Sequence, residues 1–108
     1  MASQDQLNID VRHEVDRVVL SLEGELDMAS TPLLQSAIES AALDPKAMVV
    51  LDLQALQFID STGLRVILGA RDYCGERGQD FAITKGTQQV QRLLSVTGVA
   101  EHLHTLTV

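Results

Sequence analysis

Between two segments of helical periodicity lies Met48-Val49-Val50-Leu51, a β-prone apolar run with no polar alternation. A strand wet on one face alternates apolar and polar residues. An uninterrupted run fits a central strand that is covered or flanked on both sides. Such strands belong to sheets whose parallel neighbours are joined by right-handed helical crossovers. The rest of the chain has the order this requires. Leu7, Ile9 and Val11 share one parity against Asn8, Asp10 and Arg12, and Val18, Leu20 and Leu22 alternate with Val19, Ser21 and Glu23. These are two strands forming a hairpin, with Gly24 as the end of the second. Ser30-Thr31-Pro32 starts a helix, with a hydroxyl as cap and proline in the first turn. Leu33, Leu34, Ala37, Ile38 and Ala41 form its inward face, and Asp44-Pro45 stops it.

A second helix follows Asp60 and turns Leu64, Ile67, Leu68, Arg71 and Cys74 to one side, with Gly75 and Gly78 at its end. Phe81-Ala82-Ile83 reads as a short buried strand. Lys85-Gly86-Thr87 caps a third helix with Val90, Leu93, Leu94 and Thr97 inward, and Gly98 stops it. His104 to Val108 reads as a last strand. The expected fold is α/β: one domain over residues 1–108, a small mixed four- to five-stranded sheet opening with a hairpin, and helices mainly on one side.

Composition narrows the function. Aromatic residues make up only 3% of the 108, so the core is aliphatic. A net charge of −7 repels phosphate backbones and anionic membrane surfaces, which argues against both as partners. The longest apolar stretch, Ala47 to Leu51, is too short to cross a bilayer. Met1 to Asp10 lacks the basic start and apolar core of a signal peptide. One cysteine, Cys74, forms no intrachain disulfide and fits a reducing compartment. Together these point to a cytoplasmic protein.

The chemically informative stretch is Asp60-Ser61-Thr62-Gly63-Leu64, set between a buried strand and a helix. Asp60 suits the N-cap, with Ile59 before it and Leu64 four residues on, the spacing of a hydrophobic staple. Ser61 as the cap is the competing register. The plain reading is a helix start and nothing more. The sharper reading is a regulatory phosphosite at Ser61. Helix amides and the dipole favour phosphate there, Asp60 opposes it, and Gly63 leaves room for a partner's backbone. Catalysis finds little support. Ser61 lacks a nucleophile elbow and a recognisable histidine partner, and the chain has no phosphate-binding glycine loop of the Walker type. His102 and His104 would share a face if extended, but two ligands make a poor metal site, so no metal is expected. Cys74 reads as a small core residue.

From Phe58 to Leu68 the sequence resembles the phosphorylation-site segment of bacterial anti-sigma factor antagonists, the STAS-domain family. Gly24-Glu25-Leu26-Asp27 with Ser30 to Ile38, and Val90 to Val99, resemble that family's first-helix and third-helix segments, so the likeness spans about Leu7 to Val108. The resemblance implies a switch. The unphosphorylated antagonist binds an anti-sigma factor serine kinase and frees a sigma factor. The kinase then uses ATP to phosphorylate Ser61, and the complex parts. A metal-dependent serine phosphatase resets the cycle. The chain itself would hold no cofactor and act as a monomer, not as an enzyme. Asp27, Asp60, Ser61, Thr62, Gly63 and Arg65 are the expected partner-binding residues, with Thr62 as a secondary phosphosite. Arg65 stands where the family often has a small residue, and the family's further C-terminal helix has no counterpart before Val108. Two alternatives stay open. One is a STAS scaffold, or a subunit of a signalling or lipid-transport complex, that is never phosphorylated. The other is a receiver-like domain phosphorylated on Asp60, which Lys85 after a later strand superficially supports. Receivers, however, resemble a five-fold β-α repeat with an acidic pair after the first strand, whereas this chain opens with a hairpin and offers only Glu25 and Asp27 after the second.

Overall fold

The computed structural model describes residues 6–106. Two strands, β1 (Leu7–His13) and β2 (Arg17–Leu26), form the antiparallel hairpin. Helix α1 (Thr31–Ala41) leads to β3 (Met48–Ile59), and α2 (Ser61–Glu76) leads to β4 (Phe81–Thr84). Helix α3 (Gln88–Val96) and a 3-10 turn (Val99–His102) lead to β5 (Thr105–Leu106). Residues 107 and 108 of the expected last strand, and residues 1–5 of the segment read for a signal peptide, lie outside the described residues.

The five strands lie in sequence order, and every pair after the hairpin is parallel. Each crossover therefore steps in the same direction. Right-handed crossovers in a constant direction put every helix on one face. The core agrees. Val18, Leu20 and Leu22 on β2, Val49, Leu51 and Leu53 on β3, and Phe81 and Ile83 on β4 join Leu34, Ile67 and Leu94 of the three helices in one cluster. Val19 and Val50 point to the helix-free face yet are also buried. That double burial explains why β3 begins as an unbroken apolar run.

Several boundaries differ from the sequence reading. β2 does not end at Gly24 but runs on to Leu26. Gly24 takes a left-handed φ of 107° at a register shift against β3, and the next amide, Glu25, donates to the Gln6 carbonyl at 2.7 Å. Only glycine adopts that φ without strain. β3 is twelve residues long, three times the apolar run. Its second half outlasts β4 and pairs with β2 alone. Val11 is exposed because β1 is the sheet edge and the helices cover only its start. Leu33 and Thr97 also face solvent rather than the core. Ser30 precedes α1 but its hydroxyl does not cap it; it donates to the Glu25 carbonyl at 2.9 Å. At the far end of the sheet the side-chain amide of Gln79 donates to the Asp44 and Ala47 carbonyls, tying the α1–β3 connection to the segment before β4.

Candidate functional site

Because β2, β3 and β4 are parallel and each is followed by a helix, three helix N-termini collect at one edge of the sheet. In open α/β sheets that edge is where sites form. β2 and β3 reach it in register, with Leu26 opposite Ile59, so Asp27 and Asp60 leave adjacent strands at the same level.

Asp60 is the N-cap of α2, as the staple spacing predicts, with extended backbone at φ −109° and ψ −175°. Its Oδ1 accepts from the Gly63 amide at 2.9 Å, and its carbonyl accepts from Leu64 at 3.0 Å. Its own amide donates to the Leu26 carbonyl at 3.2 Å, which fastens the helix start to the end of β2. Ser61 therefore occupies the first helical position. Its side chain is exposed, and among the described residues nothing hydrogen-bonds its hydroxyl. One first-turn amide is already used by Asp60, so an anion on Ser61 would meet fewer free amides than a bare helix end offers, with a carboxylate beside it.

Gly63 corrects an expectation. It does not open the surface to a partner, because it is buried and faces inward. A Cβ there would lie 2.8 Å from Ile59 Cγ1 and 2.9 Å from the Leu26 carbonyl oxygen. The glycine serves close packing of the helix start on β2 and β3. Thr62 is half-buried, in a groove between α1 and α2 that Arg65 and Tyr73 also line. Arg65 is exposed, and no carboxylate pairs with it among the described residues.

Asp27 is half-buried and organises its loop. Its carboxylate accepts from the amides of Ala29 at 3.0 Å and Ser30 at 3.2 Å, and from the Gln6 side chain. Its backbone amide donates to the Ser30 hydroxyl at 2.9 Å. Asp27 thus holds the approach to α1 while standing beside Asp60.

A feature of this edge that the sequence reading missed is a groove of about 570 Å³ between the start of α2 and α3. Phe58 and Ser61 lie on one side, and Val90, Arg92, Leu93 and Val96 on the other. Val96 is off the Val90–Leu94 stripe that packs inward, and an apolar residue in that position was the available signal. The remaining candidates fall elsewhere. His102 sits in the 3-10 turn and His104 in the coil after it, so they do not share the face of one extended strand. No group of three His, Cys, Asp or Glu among the described residues is placed to hold a metal. Cys74 is buried in the core, and burial pushes its thiol pKa up, opposed in part by Arg77. No helix among the described residues is long and apolar enough to cross a membrane.

Comparison with known proteins agrees with this geometry. The model of the STAS domain matches residues 6–107. An anti-sigma F factor antagonist of Paenibacillus polymyxa is 32% identical over 94 residues, covering 86% of this chain and 80% of that protein. An anti-sigma factor antagonist from Mycobacterium paratuberculosis superposes with a TM-score of 0.83 at 26% identity, over 94% of this chain and 86% of that one. The Bacillus cell fate determinant SpoIIAA, solved in its phosphorylated form, gives 0.71 at 16% identity over 94% and 91% of the two chains, a likeness of fold.

Proposed function

The chain belongs to the STAS-domain family of anti-sigma factor antagonists, and from that premise we propose that its unphosphorylated form binds an anti-sigma factor serine kinase, frees a sigma factor, and is switched off by phosphorylation of Ser61. The observation that carries this reading is the exposed Ser61 hydroxyl, bonded by no other group among the described residues, on a helix start that Asp60 and Gly63 fix against two strands. The chain acts as ligand and substrate, and the catalysis belongs to the kinase. There the bond from the γ-phosphorus of ATP to its bridging oxygen breaks, the Ser61 Oγ–phosphorus bond forms, and the hydroxyl proton passes to a base of the kinase. ADP leaves. A phosphatase reverses the modification by hydrolysis.

Phosphate adds about two negative charges at neutral pH, beside Asp60 and next to the strand end that leads to Asp27. A partner surface matched to a neutral hydroxyl and those two carboxylates is then repelled. Thr62 is the lesser acceptor, since its side chain is half-buried between α1 and α2.

The test is intact-mass analysis of the chain after incubation with Mg-ATP and the anti-sigma kinase it retains. One phosphate is expected on the wild type and none on Ser61→Ala, and Ser61→Asp should release the kinase. A wild type that gains no phosphate, with Ser61→Asp holding the same partner equally well, would leave a constitutive scaffold.

A further inference from the structure

Building on the reading of Ser61 as a kinase substrate, we infer that the groove between the start of α2 and α3 is the apolar half of the kinase interface. It receives an apolar side chain of that serine kinase while a kinase carboxylate pairs with Arg92.

Ser61 itself lines the groove. An enzyme that brings a phosphoryl group to its Oγ must close over the groove's mouth. What it covers there is apolar: Phe58 is 41% exposed and Val96 75% exposed, with Leu93 half-buried beside them. Large apolar side chains gathered around a concave site mark a contact surface, because their exposure to water is unfavourable and burying them favours association.

Arg92 gives the occupant its charge. Among the described residues it is the one cation lining the groove. Arg12 is engaged with Glu14, Arg17 with Asp16, Arg71 with Asp72, and Arg77 over the Tyr73 ring, while Arg65, also without a carboxylate partner among the described residues, lines the groove between α1 and α2 instead. No carboxylate pairs with Arg92 among the described residues. Asp60 also lines the groove, but its carboxylate caps α2 by accepting from the Gly63 amide and makes no ion pair with Arg92, so the surface that fits Arg92 carries an acid there. A second copy of this acidic chain would also offer carboxylates, so what favours the kinase as occupant is that Ser61, the proposed phosphoacceptor, lies in the same groove.

The test uses the purified anti-sigma kinase that phosphorylates the wild-type chain. Val96→Glu and Arg92→Glu are compared with wild type and with Leu43→Glu. Leu43 is equally exposed, at 74%, but lies in the α1–β3 connection at the opposite end of the sheet. Both groove positions face solvent, and melting by circular dichroism checks that all three variants fold like the wild type. The Kd for the kinase is expected to rise about tenfold or more for each groove variant, the effect of losing a substantial interface contact. The kcat/KM for Ser61 phosphorylation should fall in step, and Leu43→Glu should match wild type. Wild-type binding and phosphorylation in both groove variants would overturn the groove assignment and leave the Ser61 reading standing. A wild type that takes no phosphate would overturn both. A concentration-dependent dimer of the chain that Val96→Glu abolishes, with kinase binding unchanged, would give the groove to a second copy and overturn the proposal.

Discussion

Replacing Gly63 by alanine separates two roles that the sequence leaves confounded. In a helix, alanine is intrinsically better than glycine by about 1 kcal/mol. Were Gly63 only an exposed first-turn residue, the change would be neutral or stabilising. The packing says otherwise. The new Cβ would meet Ile59 Cγ1 at 2.8 Å, the Leu26 carbonyl oxygen at 2.9 Å and Leu26 Cγ at 3.0 Å. None of these is the loose end of a flexible side chain. The carbonyl belongs to β2 and also accepts the Asp60 amide, and Leu26 and Ile59 are core residues. Overpacking typically costs about 1–3 kcal/mol, and contacts below or at 3.0 Å, one of them to backbone, place this case in the upper half of that range. Less the propensity gain, the expected net loss is about 1–2 kcal/mol, and each kcal/mol lowers the melting temperature by about 4–8 °C in a domain of this size. Gly69→Ala is the internal control. It lies in the same helix with nothing within 4 Å of the added carbon, so it should gain about 0.5–1 kcal/mol. Urea unfolding followed by circular dichroism measures both. If Gly63→Ala gains stability as Gly69→Ala does, the close approach of α2 to β2 is wrong, and so is the account of how Ser61 is held.

Asp60→Ala removes the acceptor for the Gly63 amide and should lower stability by about 0.5–2 kcal/mol in urea unfolding, whereas Asp60→Asn should keep most of it. Thr84→Val leaves the buried Leu53 amide without the hydroxyl it donates to at 2.9 Å. A loss of about 1–3 kcal/mol is expected, with faster hydrogen exchange at Leu53, and unchanged exchange would refute the assignment. The Cys74 thiol pKa is raised in the fold, so the unfolded chain ionises first as pH climbs. Its contribution is fully present below the ordinary thiol pKa and is lost as pH rises through the folded one. Cys74→Ser should therefore flatten the alkaline decline in urea midpoint, and the native thiol should resist a disulfide reagent until the chain unfolds.

What the sequence made legible was local. Asp60 as cap with Ile59 and Leu64 flanking it was readable from spacing alone, because staple geometry depends on neighbours within one turn. The inward stripe of α2 through Leu64, Ile67 and Cys74 was readable for the same reason. Gly63 was misread because its neighbour is Leu26, on a strand far away in the chain, and a missing side chain does not announce what it makes room for. The extension of β3 to Ile59 was hidden by Asp52, Gln54 and Gln57, polar residues that a strand tolerates where one face lacks helices. The groove beside Ser61 depends on how α3 docks against the end of β3, a tertiary relation that no period in the sequence carries.

The attachment of α2 has a consequence for how information leaves this protein. With its cap bonded into the end of β2 and its third residue packed against Leu26 and Ile59, the helix start is fastened to two strands at once. On the proposed reading, a phosphate at its first residue would work as a stamp rather than a lever. It would change what is written on one edge and leave the body that bears it unmoved. Discrimination would then rest with the reader, the same frame presenting the two messages by electrostatics alone.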